Sequence, residues 1–434
     1  MSRLFHDNIS QWRAGLSYLS AMLLIIVSGC GYTFASYSQA MSAQFHMSHT
    51  DVGLIYTVGC VGGAGVIGGW VADYKGLRLT ILMGTVLAGG GWATMALFAA
   101  GLIPSSLILL LFVYTLTMQG LITLYIGGFL NIKNAHSDRK GAALGVLDMC
   151  YGLSPVLFSQ IYGVCFDRKR PADQDLDDFF VFQAAVVLCC GLAGIACSYV
   201  PSHESETRGS IAASAYKHGI RTLDFWLLWL IALFFNMTMG WYTGALANEL
   251  QALSSDLRAS SMNGILMAAG VLCRTAVGIG SDYLPLARIT LLAIIMIPAS
   301  AAFALLAIFG TRVFLPTLVM IGMSFGACWC LVPLQIADTF GAGFGSLWGV
   351  ALLATAVGPL LMQPIDSFVW SSHANTSGVC SGLHCYQSTY IYASCINGLC
   401  AVLCAIVGCR SARARASSVV LLCESEISCH SQTA

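Results

Sequence analysis

Two charged residues stand inside apolar segments long enough to cross a bilayer: Asp148 in segment 140–166 and Arg274 in segment 260–283. Each lies eight residues from a charged end of its segment, Lys140 for the first and Asp282 for the second. At about 1.5 Å of rise per helical residue, both sit roughly 12 Å inside the membrane. An ionisable side chain at such depth costs about 2.5–3.5 kcal/mol on insertion scales, which makes it a functional candidate. Opposite sign and matched depth predict a buried pair that meets in one state and parts in another, because desolvation is offset only while the partners are together. Two other uses compete: Arg274 as the seat of an anionic solute, and Asp148 as the carrier of a coupling proton. The plainest alternative is a local hydrogen bond from Asp148 to Tyr151 or Ser154. Glu249, Asp224 and Asp366 lie near segment ends, where headgroup water is expected to solvate them. Asp366 follows Gln363 and Pro364 in a segment that Pro359 and Pro364 should bend.

The elements that carry these residues follow from composition. Of 434 residues, 57% are hydrophobic and 9% charged, against about a quarter charged in soluble domains. Twenty basic and twenty acidic residues cannot cover a water-facing surface of this size. A soluble enzyme is therefore excluded, and the balanced charge offers no basic stripe for a nucleic-acid partner. Apolar runs occur at 14–38, 50–72, 79–101, 105–130, 140–166, 179–200, 223–250, 260–283, 287–309, 313–337, 344–370 and 389–409. A helix needs roughly 20 apolar residues to span the hydrocarbon, and the runs lack the short polar–apolar alternation of barrel strands. The expectation is an all-α polytopic membrane protein with twelve transmembrane helices.

Fourteen Lys and Arg residues fall on the side of the N-terminus and five on the other. By the positive-inside rule both termini are then cytosolic. Asn375-Thr376-Ser377 is a glycosylation sequon in the last outer loop. Cys380 and Cys385 in that loop are a candidate disulfide for an oxidising compartment. Most other cysteines sit within spans as small apolar residues, and none has zinc-site spacing with histidines. No Walker, GxSxG or HExxH sequence is present. No metal, cofactor or catalytic group is expected; the partners are the lipid bilayer, a small-molecule solute and a coupling proton, and the chain is expected to act as a monomer.

An internal repeat organises the spans. Gly69 and Gly278 are 209 residues apart, as are Asp73 and Asp282, and the first and seventh spans begin at the same offset. A duplicated six-helix unit follows: bundles at 1–200 and 223–409, a linker at 201–222 rich in Ser, Glu and Ala, and a tail at 410–434. Parallel repeats of this kind build one large transporter class.

Gly69-x-x-x-Asp73-x-x-Gly76-x-Arg78 resembles the loop motif of the major facilitator superfamily. Gly69 would allow two helices to approach, Asp73 would hold a basic residue of a neighbouring element, and Gly76 would permit a tight reversal. Tyr74 precedes Lys75 where the family usually has a basic residue directly after the aspartate. In the second half Gly278 and Asp282 are kept, and Pro285 replaces the glycine. Gly31-Tyr32-Thr33-Phe34-Ala35-Ser36-Tyr37-Ser38 and Asp224-Phe225-Trp226-Leu227-Leu228-Trp229 resemble the nodulin-like branch, with monocarboxylate and oxalate–formate carriers as the second choice.

The resemblance implies two pseudo-repeated six-helix bundles and a secondary carrier moving a small organic solute by alternating access. A non-transporting membrane receptor on the same scaffold is the alternative. It implies gating or coupling roles for Asp148, Arg274, Gly69, Asp73, Lys75, Gly76, Arg78, Gly278 and Asp282. It also implies that the first, fourth, seventh and tenth helices line a cavity. Polar and aromatic residues there are Tyr32, Thr33 and Tyr37; Gln119 and Tyr125; Asn236, Tyr242 and Thr243; Trp329 and Gln335. Sparse polar groups among aromatics suit a small-molecule wall.

Overall fold

A computed structural model of the chain describes residues 2–47, 49–135, 140–166, 175–198, 208–253, 259–374 and 380–432. In lipid every backbone polar group must be paired within the protein, so apolar runs of this length become helices. No strand occurs among the described residues. Seventeen α-helices appear among the described residues: α1 (Ser2–Ser28), α2 (Phe34–Gln44), α3 (His49–Gly62), α4 (Val66–Tyr74), α5 (Leu77–Ala99), α6 (Leu107–Ala135), α7 (Lys140–Ile161), α8 (Leu176–Cys197), α9 (Arg208–Gly219), α10 (Leu223–Phe235), α11 (Trp241–Ala252), α12 (Ala259–Tyr283), α13 (Arg288–Phe309), α14 (Phe314–Phe340), α15 (Phe344–Ala351), α16 (Leu353–His373) and α17 (Gln387–Gln432).

Eleven stretches among the described residues are long and apolar enough to cross a membrane. One of them, Arg288–Phe340, spans 53 residues and holds both α13 and α14, joined by a 3₁₀ turn at Gly310–Val313. Counting it as two gives the twelve expected spans. Several spans are broken near their middle. The first passes from α1 to α2 through a 3₁₀ turn at Gly29–Thr33. The seventh passes from α10 to α11 through a π-helical turn at Asn236–Gly240. Two repeat-related spans are thus interrupted at corresponding places.

The two ends of the bundle differ. The basic end carries Lys75, Arg78, Arg288 and Arg410; the opposite end carries the disulfide between Cys380 and Cys385. The segment read as a linker is partly helical: α9 lies across the basic end, with its Gly219 against Leu347 and Phe340 and its Tyr216 beside Gly343. The segment read as a tail continues α17, which runs 46 residues. At about 1.5 Å per residue that helix is roughly 70 Å long, well beyond the ~30 Å hydrocarbon.

Candidate functional site

At the basic end two carboxylates cap helices on the far side of the bundle. Asp73, on the last turn of α4, accepts hydrogen bonds from the backbone N–H groups of Gly345 (3.2 Å) and Ser346 (2.6 Å) at the start of α15. A helix N-terminus leaves such N–H groups unpaired and concentrates positive potential there. The expectation for Asp73 is a basic partner; this helix start is a partner that the motif alone does not announce. Its repeat-related counterpart behaves alike: Asp282 accepts from the Ala142 N–H of α7 at 2.8 Å. Asp282 also binds Arg288 (2.8 Å), which bridges to Asp338.

Close helix crossings lie beside both caps. A Cβ on Gly69 would stand 2.0 Å from the Gly345 carbonyl oxygen, and one on Gly145 would stand 3.0 Å from the Gly278 Cα. Gly76 turns the chain between α4 and α5 at φ +90, the reversal its place in the motif requires. Lys75 and Arg78 are exposed at this end.

Deeper in the membrane, Asp148 and Arg274 meet. The Arg274 guanidinium lies 3.4 Å from the Asp148 carboxylate and donates to the Asp148 backbone carbonyl at 3.0 Å. The Tyr125 hydroxyl donates to Asp148 Oδ1 at 3.2 Å. Both charged residues are buried. Arg274 Nε has no hydrogen-bond partner. The local alternatives do not supply Asp148's partners: Ser154 Oγ is itself unpartnered, and Tyr151 instead stacks among aromatics.

Those aromatics form a continuous layer above the pair. Tyr151 contacts Tyr32 (5.9 Å between ring centroids), Tyr125 (4.6 Å) and Trp329 (6.3 Å). Trp329 in turn meets Phe235, Phe325 and Trp348. The layer therefore joins helices of both repeats. Tyr32 is 38% exposed although it lies at mid-span. Toward the opposite end, Ser36 and Ser159 join hydroxyls at 2.9 Å on an exposed face, and Gln363 and Ser367 pair at 3.4 Å on another.

The other expected wall residues separate into distinct environments. Tyr37 is fully buried among Phe34, Trp92, Tyr162, Phe179 and Phe180, and Thr33 is buried with its hydroxyl unpartnered. With its carboxamide oriented to satisfy both polar atoms, Gln119 donates to Ala64 O (3.0 Å) and Gly62 O (3.1 Å), stitching the break between α3 and α4. Asn236 donates to Ala232 O at 2.9 Å and Thr243 to Gly240 O at 2.7 Å, serving the π-helical turn. Gln335 reaches Thr339 at 3.1 Å. Tyr242 is buried against Phe303. Asn375 lies outside the described residues.

Asp224 pairs with Arg410 at 2.7 Å at a partly exposed span end, as expected. Two other charges differ from the solvated ends the sequence suggested. Glu249 is fully buried and Asp366 is 9% exposed. The reason is tertiary. The disulfide-closed turn at 380–385 folds back over the end of α11, where the Gly382 N–H donates to Ala252 O at 2.7 Å. Gly382 holds φ +102 there, which a side chain would resist.

Comparisons with known proteins agree on the fold. The Major Facilitator Superfamily model matches residues 19–363. The "Probable transporter MCH1" of Debaryomyces hansenii is 23% identical, over 82% of this chain and 84% of its own. That of Candida albicans is 22% identical, over 88% and 90%. A match to the protein of the same name from Yarrowia lipolytica, 26% identical, spans only 56% of each chain. Among solved structures, the proton:xylose symporter XylE covers 91% of this chain (95% of its own) with a TM-score of 0.67 and 12% identity. The E. coli fucose:proton symporter FucP covers 90% (97% of its own) with a TM-score of 0.70 and 13% identity. At such identities the likeness to solved structures speaks for the fold alone.

Proposed function

Since the chain belongs to the Major Facilitator Superfamily, we propose that it is a secondary carrier that moves a small organic solute by alternating access between the halves 1–200 and 223–409. The observation that carries this reading is the pair of carboxylate caps. Asp73 on α4 holds the start of α15, and Asp282 at the end of α12 holds the start of α7. Each cap crosses between the proposed halves, so together they shut one end. Charge-assisted hydrogen bonds of this type are strong in a dry setting yet break when water enters, which suits a gate. The basic end is the cytosolic one by the positive-inside rule, so the solute enters this state from the opposite side.

The Asp148–Arg274 pair lies beneath the aromatic layer, between that entry and the closed end. It is the switch: closed, it offsets its own desolvation; open, each partner needs water or the solute. Tyr32, Tyr125, Tyr151 and Trp329 supply flat faces for an organic solute, and sparse hydroxyls fix its orientation. The Gly31–Ser38 and Asp224–Trp229 sequences support placement in the nodulin-like branch. Uptake and efflux in proteoliposomes against a panel of small carboxylates, sugars and other nutrients at two pH values tests the reading. Saturable flux of one panel member supports it; specific binding of one member with no flux would favour a receptor.

A further inference from the structure

A second acidic site lies in the C-terminal half, separate from Asp148 and toward the disulfide-bearing end. Glu249 on α11 is completely buried, and neither of its carboxylate oxygens has a hydrogen-bond partner. Asp366 on α16 is its electrostatic neighbour. It accepts a long hydrogen bond from Thr389 on α17 (3.5 Å), and the Trp241 indole faces it. The Tyr390 hydroxyl faces Glu249 from α17, yet the Tyr390, Tyr242 and Trp241 polar atoms close no hydrogen bond. Buried polar groups are normally paired, so a fully buried carboxylate without a geometrically sound partner, faced by the Tyr390 and Tyr242 hydroxyls, marks a place arranged for something exchangeable.

The surroundings name the chemistry. From α16 the titratable groups are Asp366 and, further along, the exposed His373. The disulfide turn adds the exposed His384, whose ring lies against His373. Tyr386 comes from just before α17, Tyr390 from α17, and Tyr242 from α11 itself. Described α12 carries its only charges at Arg274 and Asp282, which serve the contacts above. No ion pair to Glu249 or Asp366 occurs among the described residues. Two carboxyls crowded in a dry site without a cation cannot both be ionised. A metal cation would want six or more oxygen ligands, carbonyls among them; here the wall is indole and phenol.

We propose that Glu249 and Asp366 share one exchangeable proton and form the carrier's coupling site. Asp366, at the edge of the face that bears Gln363 and Ser367, takes the proton from a hydronium ion: the carboxyl O–H bond forms as the hydronium O–H bond breaks, and a water molecule is left; Glu249 is its buried partner. The Gly382–Ala252 hydrogen bond seals this site from above. The coupling role rests on the carrier reading, but the shared proton does not.

The experiment therefore reads protonation directly. Infrared difference spectra of the purified chain in lipid, titrated by pH in H₂O and D₂O, should show a carboxylic-acid C=O band that shifts on deuteration. Glu249→Gln and Asp366→Asn should each abolish that band, and Tyr390→Phe should move it while leaving it present. A wild-type band that none of the three variants alters, or its absence at every pH tested, overturns the proposal. Displacement of the band by sodium at constant pH, with choline inert, would also overturn it, in favour of a metal-cation site. For any panel solute that the wild type concentrates against its gradient, Glu249→Gln should retain exchange and lose uphill uptake; full uphill uptake overturns the coupling role. A protein that shows the band but no flux keeps the proton site and sinks the carrier reading alone.

Discussion

Gly69→Ala should unlatch the basic end. The added Cβ would stand 2.0 Å from the Gly345 carbonyl oxygen and 2.7 Å from its carbon. Both are backbone atoms and cannot swing aside. Carbon–oxygen contacts between helices settle near about 3.3 Å, so α4 and α15 must separate by roughly 1.3 Å. The Asp73 hydrogen bonds to Gly345 and Ser346, now 3.2 and 2.6 Å, then pass beyond useful length. Hydrogen bonds to a charged group contribute about 1.5–3 kcal/mol each. Losing two penalises the closed state by about 3–6 kcal/mol against any state in which these helices are already apart. That shifts the population by about two to four orders of magnitude. The assay is labelling by an impermeant thiol reagent in a background that keeps the Cys380–Cys385 disulfide and lacks the free cysteines. Ser346→Cys is buried at the latch and Gln363→Cys is exposed toward the other end. Adding Gly69→Ala should speed labelling at 346 and slow it at 363. A folded Gly69→Ala protein in which both rates are unchanged would refute the latch reasoning.

Further outcomes follow from the same contacts. Asp148→Asn or Arg274→Met leaves one buried charge alone, at a cost of about 3–5 kcal/mol; thermal unfolding in detergent should drop sharply for each single variant, and the charge-swapped double variant should recover part of the loss. If the swap recovers nothing, pairing is not what the two residues provide. Tyr125→Phe removes one hydrogen bond to Asp148 and should cost about 1.5–3 kcal/mol by the same thermal measurement, less than either charge deletion. Replacing Cys380 and Cys385 by serine removes a short cross-link worth about 2 kcal/mol in chain entropy; hydrogen exchange should rise first at Gly382 and the last turn of α11.

Much of this was legible in the sequence because lipid makes rules strict. Twelve apolar runs could only be helices, and in so apolar a chain Asp148 and Arg274 stood out by depth and sign alone. Cys380 and Cys385 lie close enough in sequence to suggest their bridge. Glu249 was misread because the groups that face it, Asp366 and Tyr390, come from α16 and α17, more than 100 residues on in sequence and invisible to any local pattern. Gln119, read as a cavity residue, also donates to the Gly62 and Ala64 carbonyls where α3 gives way to α4, and Asn236 donates to Ala232 O one turn before the π-helical turn. The spacing of polar residues along a span does not reveal such local bonds. The helix start that Asp73 caps escaped the sequence for a related reason: a helix N-terminus carries positive potential without any basic side chain.

The central claim is that opening and closing of the basic end is obligatory for flux. Asp73→Cys with Ser346→Cys places two thiols across the latch, where the native carboxylate touches the Ser346 N–H. In proteoliposomes with a solute that the wild type carries, oxidation to the cross-link should stop flux and reduction should restore it, while binding from the opposite side persists. Undiminished flux through the fully cross-linked protein would contradict the account.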